Sequence, residues 1–260
     1  MTADLKDGLD TRNARIKLVD AAPSDVADGA LLESLAQQDG GQAAWSKLLV
    51  YARDNASGAP RWTHAGLKRE ATIEGFFEDR TDAAIWSLFT DPDRAAETMR
   101  DEHETALRLA QSKPPLPARE LDAVPPGFTM RRATPDDAGR IAALMKESLS
   151  IFRLVESERG MLVAVASAEI DHSRKNAELT DCTTHPEFRG RGLNKCLLSA
   201  LHGDLVEDWG IYHVYSIARA LETGMNCVFR QLGYHYTGRL VANSRMPEGW
   251  ESMNIWCRTL

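Results

Sequence analysis

Cysteine is scarce in this chain. Cys182, Cys196, Cys227 and Cys257 share no short spacing with one another or with histidine. That spacing excludes a zinc-finger pattern and argues against a disulfide framework, so no metal is expected and a reducing, cytoplasmic setting is. An excess of basic residues is also lacking: 31 Lys and Arg stand against 38 Asp and Glu, a formal charge of −7. Phosphate backbones call for a basic surface, so no nucleic-acid partner is expected. No apolar run is long enough to cross a membrane. The N-terminus carries Asp4, Lys6, Asp7 and Asp10 where a leader would be hydrophobic, so neither membrane insertion nor secretion is expected.

What is present is length for two units. Residues 113–127, KPPLPARELDAVPPG, hold five prolines and read as an extended connector. The expected division is therefore an N-terminal α/β region over 1–112, a Pro-rich linker over 113–127 and a second domain over 128–260. Upstream of the linker, 30–38 reads as a helix, 46–52 as a strand and 83–89 as a strand or short helix. Residues 91–112, with Ala95, Met99, Ala106 and Leu109 at helical intervals, read as one exposed helix. Downstream, strands are expected over 130–132, 161–170, 177–184, 211–217, 234–241 and 252–258. Helices are expected from Pro135 through 141–150, over 193–207 and over 225–232. This alternation is a mixed α/β (α+β) layer arrangement.

A faint internal echo accompanies it. Residues 46–51, Ala65-Gly66-Leu67 and Ala84-Ile85-Trp86 give strand, short helix with glycine, strand. Residues 211–217, Leu232-Gly233-Tyr234 and Asn254-Ile255-Trp256 repeat that order. Either the N-terminal region is a degenerate half-copy of the second domain, or two α/β segments resemble each other by chance.

The strongest chemical signal is His185-Pro186-Glu187-Phe188-Arg189-Gly190-Arg191-Gly192-Leu193-Asn194. A strand ends, a glycine-rich turn follows and a helix begins at once. Glycines let the backbone approach a ligand, and the free N–H groups of a first helical turn favour a phosphate. Arg189 and Arg191 add positive charge. Packing glycines at strand–helix turns are common, so the turn alone is weak evidence.

On these residues the chain resembles the GNAT N-acetyltransferase superfamily, whose acyl-CoA signature is Arg/Gln-x-x-Gly-x-Gly/Ala after its fourth strand. Asn194 stands where that signature has Gly or Ala. Asn226 to Tyr234, NCVFRQLGY, is similar to the superfamily's later Asn-bearing helix. Within the superfamily the β-lysine N-acetyltransferases are the nearer likeness. Residues 176–181 (NAELTD), 217–220 (IARA), 224–226 (GMN), 236–241 (YTGRLV) and 251–256 (ESMNIW) carry it, with fainter similarity over 13–94. Members of that family carry a helix-length segment between the first helix and the second strand. Here 146–152 runs almost directly into Arg153-Leu154-Val155-Glu156, an altered wall for the acceptor.

The resemblance implies a GNAT-type, mostly antiparallel sheet flanked by helices, with acetyl-CoA as co-substrate and a small-molecule amine as acceptor. Attack on a thioester needs a neutral amine, yet an alkyl ammonium has a pKa of about 10. A base is required, and Glu178 and Asp181 are the candidates. Three residues apart, they face opposite sides of a regular strand, but a bulge of the kind GNAT folds carry there would reunite them. A backbone N–H near Cys182, Thr183 and Thr184 is the implied oxyanion donor. Arg189, Gly190, Arg191, Gly192, Leu193 and Asn194, with Asn226 and Phe229, are the implied coenzyme contacts. A tyrosine acid is missing at Phe229; Tyr212, Tyr215 and Tyr234 stay open as substitutes. A covalent role for Cys182 is a minor alternative. Arg219, Asn243, Glu251 and Asn254 are the implied acceptor contacts. The acceptor implied is the N6 amine of β-lysine, for synthesis of a compatible solute. Another diamine, amino acid or polyamine is the alternative, as is a coenzyme-binding module without turnover. A homodimer stays open.

Overall fold

A computed structural model of the chain describes residues 8–27, 45–55, 58–121, 123–137 and 150–260. The expected helix over 30–38 and most of the helix continuing through 141–150 lie outside these. Two compact units emerge. The first takes the described residues up to Leu107 together with Ala218–Glu222 and Tyr236–Ile255; the second takes Arg108–Ile217, Thr223–His235 and Trp256–Leu260.

The first unit begins with strands β1 (Leu9–Asp10) and β2 (Arg15–Val19) and a short helix α1 (Pro23–Ala27). Strand β3 (Lys47–Arg53), helix α2 (Ala59–His64), and strands β4 (Lys68–Ile73) and β5 (Ala83–Phe89) follow. The strand order is β1-β2-β3-β5-β4, with β2 and β3 parallel and β5 antiparallel to both its neighbours. The run Lys-Leu-Leu-Val-Tyr-Ala in β3 is buried throughout because the strand is central and both its faces are covered. Ile16, Leu18, Leu48, Val50, Trp62 and Trp86 form a core cluster. Each such side chain contributes about 1.5–3 kcal/mol when fully buried.

Two short strands and β4 were not legible in the sequence. Where 65–67 reads as a short helix, the helix instead occupies α2 and ends there: Gly66 adopts φ +82° and the Leu67 amide donates to Trp62 O. The expected single helix over 91–112 is two, α3 (Pro92–Ala95) and α4 (Arg100–Gln111). Ala96 turns extended at the end of α3. The buried face of α4 is His103, Ala106, Leu107 and Ala110, while Met99 and Leu109 are exposed.

The greater parts of strands β11 (His235–Met246) and β12 (Gly249–Thr259), within Tyr236–Ile255, complete this unit together with Ala218–Glu222. Lys47 Nζ, fully buried, donates to Glu70 at 2.8 Å and to Val241 O at 2.6 Å. Arg94 donates through Nε and Nη2 to Ala242 O, and through Nη1 to Ala14 O and Ser46 Oγ. A Cβ on Gly238 would lie 2.3 Å from Glu70 O and 2.4 Å from Ala71 Cα, so β11 and β4 approach at backbone distance.

In the second unit the Pro-rich stretch holds a one-turn helix, α5 (Ala118–Leu121), which an extended connector would lack. Burial of Leu121 and the bond from Leu116 N to Gln231 O hold it in place. Strands β6 (Phe128–Arg132), β7 (Ser150–Ser157), β8 (Leu162–Asp171) and β9 (Asn176–Thr184) pair antiparallel in sequence. Pro135–Asp137 between β6 and β7 is a 3-10 turn. Helix α6 (Leu193–Trp209), strand β10 (His213–Arg219) and helix α7 (Thr223–Gln231) complete the series. The sheet order is β11-β12-β10-β9-β8-β7-β6, with β9 and β10 parallel. This is the mixed, mostly antiparallel α/β arrangement expected. Helix α6 buries Leu193, Leu197, Leu198, Leu201 and Leu205, and its buried Asp204 is held by Arg153 Nε at 2.7 Å and by Arg132.

Candidate active site

Strand β9 leads into the glycine turn, and the turn into α6. Gly190 and Gly192 adopt φ +77° and +79°, a left-handed conformation that side chains with a Cβ resist. Gly192 is the N-cap of α6, and no side chain caps the first turn. Among the described residues, the amides of Gly190 through Asn194 donate to no backbone carbonyl outside the helix ladder. A 17-residue helix thus presents free N–H groups at its positive end. Asn194, where the signature has Gly or Ala, turns its amide inward, accepting from Thr184 Oγ1 at 3.2 Å and donating to Met225 Sδ. Its side chain is thereby occupied and its backbone N–H stays available. Arg189 and Arg191 are exposed on the turn, and Arg191 lies 5.2 Å from the Phe188 ring centroid. Open amides, absence of a cap and two cations fit a pyrophosphate.

The other half of the site is a break in the sheet. β8 and β9 pair in one register up to Ser167–Thr180 and in another from Val165–Thr183, which is a bulge carrying one extra residue on β9. Asp181 sits at it with φ +54°. Cross-strand partners share a face, so Glu178 lies with Glu169, and Thr180 with Ser167. Ser167 Oγ donates to Asp181 Oδ2 at 2.9 Å. The bulge has therefore turned Asp181 toward the face that carries Glu178. On the other edge of β9, the parallel pairing with β10 ends at Glu178–Tyr215. Beyond that point β9 and β10 part, leaving the β10-facing edge of β9 without a ladder partner among the described residues.

The GNAT acetyltransferase family matches residues 119–234. The N-acetyltransferase YodP of Bacillus subtilis is 30% identical over 233 residues, 82% of this chain and 82% of that one. The chain belongs to the GNAT acetyltransferase family. That membership places it among the acyltransferases. The β-lysine N(6)-acetyltransferase of Methanosarcina mazei is 38% identical over 162 residues, 55% of this chain and 59% of that enzyme. The enzyme of the same name from Methanococcus maripaludis is 34% identical over 121 residues, 46% and 43% of the two chains. The chain thus spans little more than half of the first of these and less than half of the second.

Within this GNAT chain the remaining candidates separate. Burial and then the neighbouring Asp181 carboxylate push the Cys182 thiol up to about 12, so its nucleophilic thiolate is suppressed. Asn226 is fully buried and accepts from Trp256 Nε1 at 2.8 Å. Phe229 packs edge-on against Tyr234 in the core. Both side chains are turned into the core, where the polar and aromatic pattern of α7 serves packing. Tyr234 is also buried, its hydroxyl 2.7 Å from His202 Nε2, which removes it as an acid. Burial drops His202 to about 3, so that pair is neutral.

Of the expected acceptor contacts, Asn254 is buried and accepts from Arg239 Nε, and Asn243 is buried too. Neither lines the cavity of the first unit. Arg219 and Glu251 do. They form an ion pair at 2.6 Å on its wall, and its volume is about 450 Å³. Asp93, Glu97, His103 and Trp250 share that wall. The sequence reading passed over them because residues 93–103 lie far along the chain from every motif, and Trp250 reads as packing. Among the described residues no cluster of His, Cys, Asp or Glu fits a metal ion, and no helix is long and apolar enough to cross a membrane.

Proposed function

We propose that the chain transfers the acetyl group of acetyl-CoA to a small primary amine, with the N6 amine of β-lysine as the preferred acceptor. The observation that carries the transfer is the uncapped, glycine-entered start of α6 beside a bulged and parted β9. That pairing provides an anion cradle and a free strand edge within a few residues of two carboxylates. Acetyl-CoA supplies an activated acetyl thioester. The open amides from Gly190 to Asn194, with Arg189 and Arg191, take its pyrophosphate. Glu178, or Asp181 on the same face, accepts a proton from the incoming ammonium, directly or through water. The neutral nitrogen attacks the thioester carbon, and an N–H on the free edge at Cys182 to Thr184 receives the developing oxyanion. The C–S bond then breaks and the second proton on nitrogen passes to the departing sulfur, leaving a neutral amide and the free thiol of coenzyme A. A thiolate is a good enough leaving group that the absence of a tyrosine at Phe229 is tolerated.

The names of the two archaeal relatives favour β-lysine. The test is coenzyme A thiol release in the presence of β-lysine, L-lysine and spermidine in parallel. Release with β-lysine at the highest kcat/KM supports the assignment. Preference for spermidine moves the enzyme to polyamines. Coenzyme binding with no release for any amine leaves a binding module.

A further inference from the structure

The cavity of the first unit lies almost wholly outside the residues that match the family. Only Arg219 and Leu221 of its lining fall within 119–234. Its volume, about 450 Å³, lies in the range of small-molecule sites, roughly 300–1,000 Å³. Four acids line it, Asp93, Glu97, Glu248 and Glu251, against two arginines. Arg94 donates to Ala242 O, Ala14 O and Ser46 Oγ, all neutral acceptors, so its donors are occupied while its positive charge remains. The Arg94 guanidinium also lies 3.7 Å from the Trp250 ring centroid, which fixes an aromatic panel in the wall. The lining therefore holds more carboxylates than guanidiniums; Glu97 is paired with Arg239 and Arg100 and Glu251 with Arg219, which leaves Asp93 and Glu248 as its acids outside those pairs.

One oxygen in that wall has no partner. Glu251 is 6% exposed, and Oε2 accepts from Arg219 Nε, but Oε1 is buried without a hydrogen bond. A buried carboxylate oxygen left unsatisfied is destabilising, and folded proteins rarely retain one. An ammonium group supplies up to three donors in a compact charge. We propose that this cavity is a binding site for a small organic cation bearing a primary ammonium group, with Glu251 as its anchor. The N-terminal segment 93–103, to which the family match gives no role, supplies the acidic wall that selects for positive charge. The cavity and its lining are argued from the first unit alone; the identity of the ligand as an amine rests on the proposed function, in which Arg219 and Glu251 are the implied acceptor contacts.

Titration calorimetry on the full chain without acetyl-CoA tests it. The probes are 1,5-diaminopentane, β-lysine and the neutral 1,5-pentanediol. The diamine is expected to bind and the diol not to. Glu251→Gln is expected to weaken diamine binding at least about tenfold, the worth of one charge-assisted bond. Because Glu251 also holds Arg219, a second variant guards against a folding defect. Met99→Lys places a competing ammonium on the lining from a residue that is 41% exposed, and is expected to weaken binding similarly while the melting temperature holds. If β-lysine binds and both variants raise its KM in acetyl transfer, the ligand is the acceptor. If its KM is unmoved while the diamine alters turnover, the ligand is an effector. Equal binding of diol and diamine, unaltered affinity in both variants, or no heat with any probe at millimolar concentration overturns the proposal. Loss of coenzyme binding leaves it standing.

Discussion

Two regions of the molecule follow one plan with different chemistry. In the first, β3, α2, β4 and β5 succeed one another and the strands lie in the order β3-β5-β4. In the C-terminal part of the chain, β10, α7, β11 and β12 succeed one another and lie in the order β10-β12-β11. Each first strand has a parallel neighbour that precedes it in the chain, β2 for β3 and β9 for β10. Both helices end alike. Gly66 N donates to Thr63 O and Leu67 N to Trp62 O; Gly233 N donates to Arg230 O and Tyr234 N to Phe229 O. The glycines adopt φ +82° and +85°. This helix end satisfies two orphan carbonyls by a left-handed glycine. The plans part at the turn after the parallel strand. After β9 it carries open amides and two arginines. After β2 it carries Asp25, whose Oδ2 accepts from Ala22 N at 2.7 Å and puts a negative charge at the start of α1. A carboxylate there repels the phosphate that the glycine turn attracts. Shared topology thus carries different local chemistry at the two turns: open amides in one region and a carboxylate in the other.

The comparison breaks most sharply at Gly238, whose missing Cβ lets β11 meet the backbone of β4. Gly238→Ala is expected to cost about 3 kcal/mol or more, since backbone cannot yield as a side chain can. A denaturant midpoint that barely moves would refute the close approach. The two carboxylates sharpen the comparison next, because the first plan has no counterpart to the bulge at Asp181. Glu178→Gln is expected to lower kcat by about 10²–10⁴ with coenzyme affinity unchanged. Unaltered turnover removes Glu178 from the chemistry. At the cradle, Gly192→Val strains a left-handed position and crowds Lys195 Cε, 3.3 Å from a Cβ there. It is expected to weaken coenzyme A binding about tenfold or more, the worth of a disturbed charge-assisted contact, while Asp25→Ala leaves that affinity unmoved.

The aromatic at the end of α7 adds a pH dependence that Leu67 does not. Burial holds His202, beside Tyr234, at a pKa of about 3 in the folded chain, against the ordinary 6.5 of a free imidazole. The unfolded chain therefore binds a proton that the folded chain refuses between those values. Stability is full above about 6.5 and falls as pH drops toward 3. Wild type is expected to lose stability on acidification more steeply than His202→Gln, measured by denaturant midpoints at pH 7 and pH 4.5. The smallest effect closes the series. Gly66→Ala and Gly233→Ala are each expected to cost about 1 kcal/mol, nearly equal if the two helix ends are equivalent.

The glycine turn, the strand before it and the helix after it were legible because each is local: alternation, φ-permissive residues and amphipathic spacing all lie within 20 residues. Even the echo around Gly66 and Gly233 showed through, although the helix near the first glycine was placed a turn too late. The bulge at Asp181 was anticipated only through the family likeness, since nothing in NAELTDCTT marks an extra residue. The burial of Asn226 and Asn254 was not legible. A polar residue on an amphipathic element looks like a contact until its partner, Trp256 or Arg239, is known. The cavity was hidden for the same reason: its wall joins residues 93–103 to a hairpin some 150 positions later in the sequence.

The two buried cations limit where the molecule can be cut. Val241 and Ala242 lend their carbonyls to Lys47 and Arg94, and Val241 N in turn donates to Glu70. A protease nick or an artificial start at the proline-rich stretch would look like a clean seam and would discard all three partners. The catalytic half expressed from that point ought to aggregate, and co-expression of the missing N-terminal piece ought to rescue it.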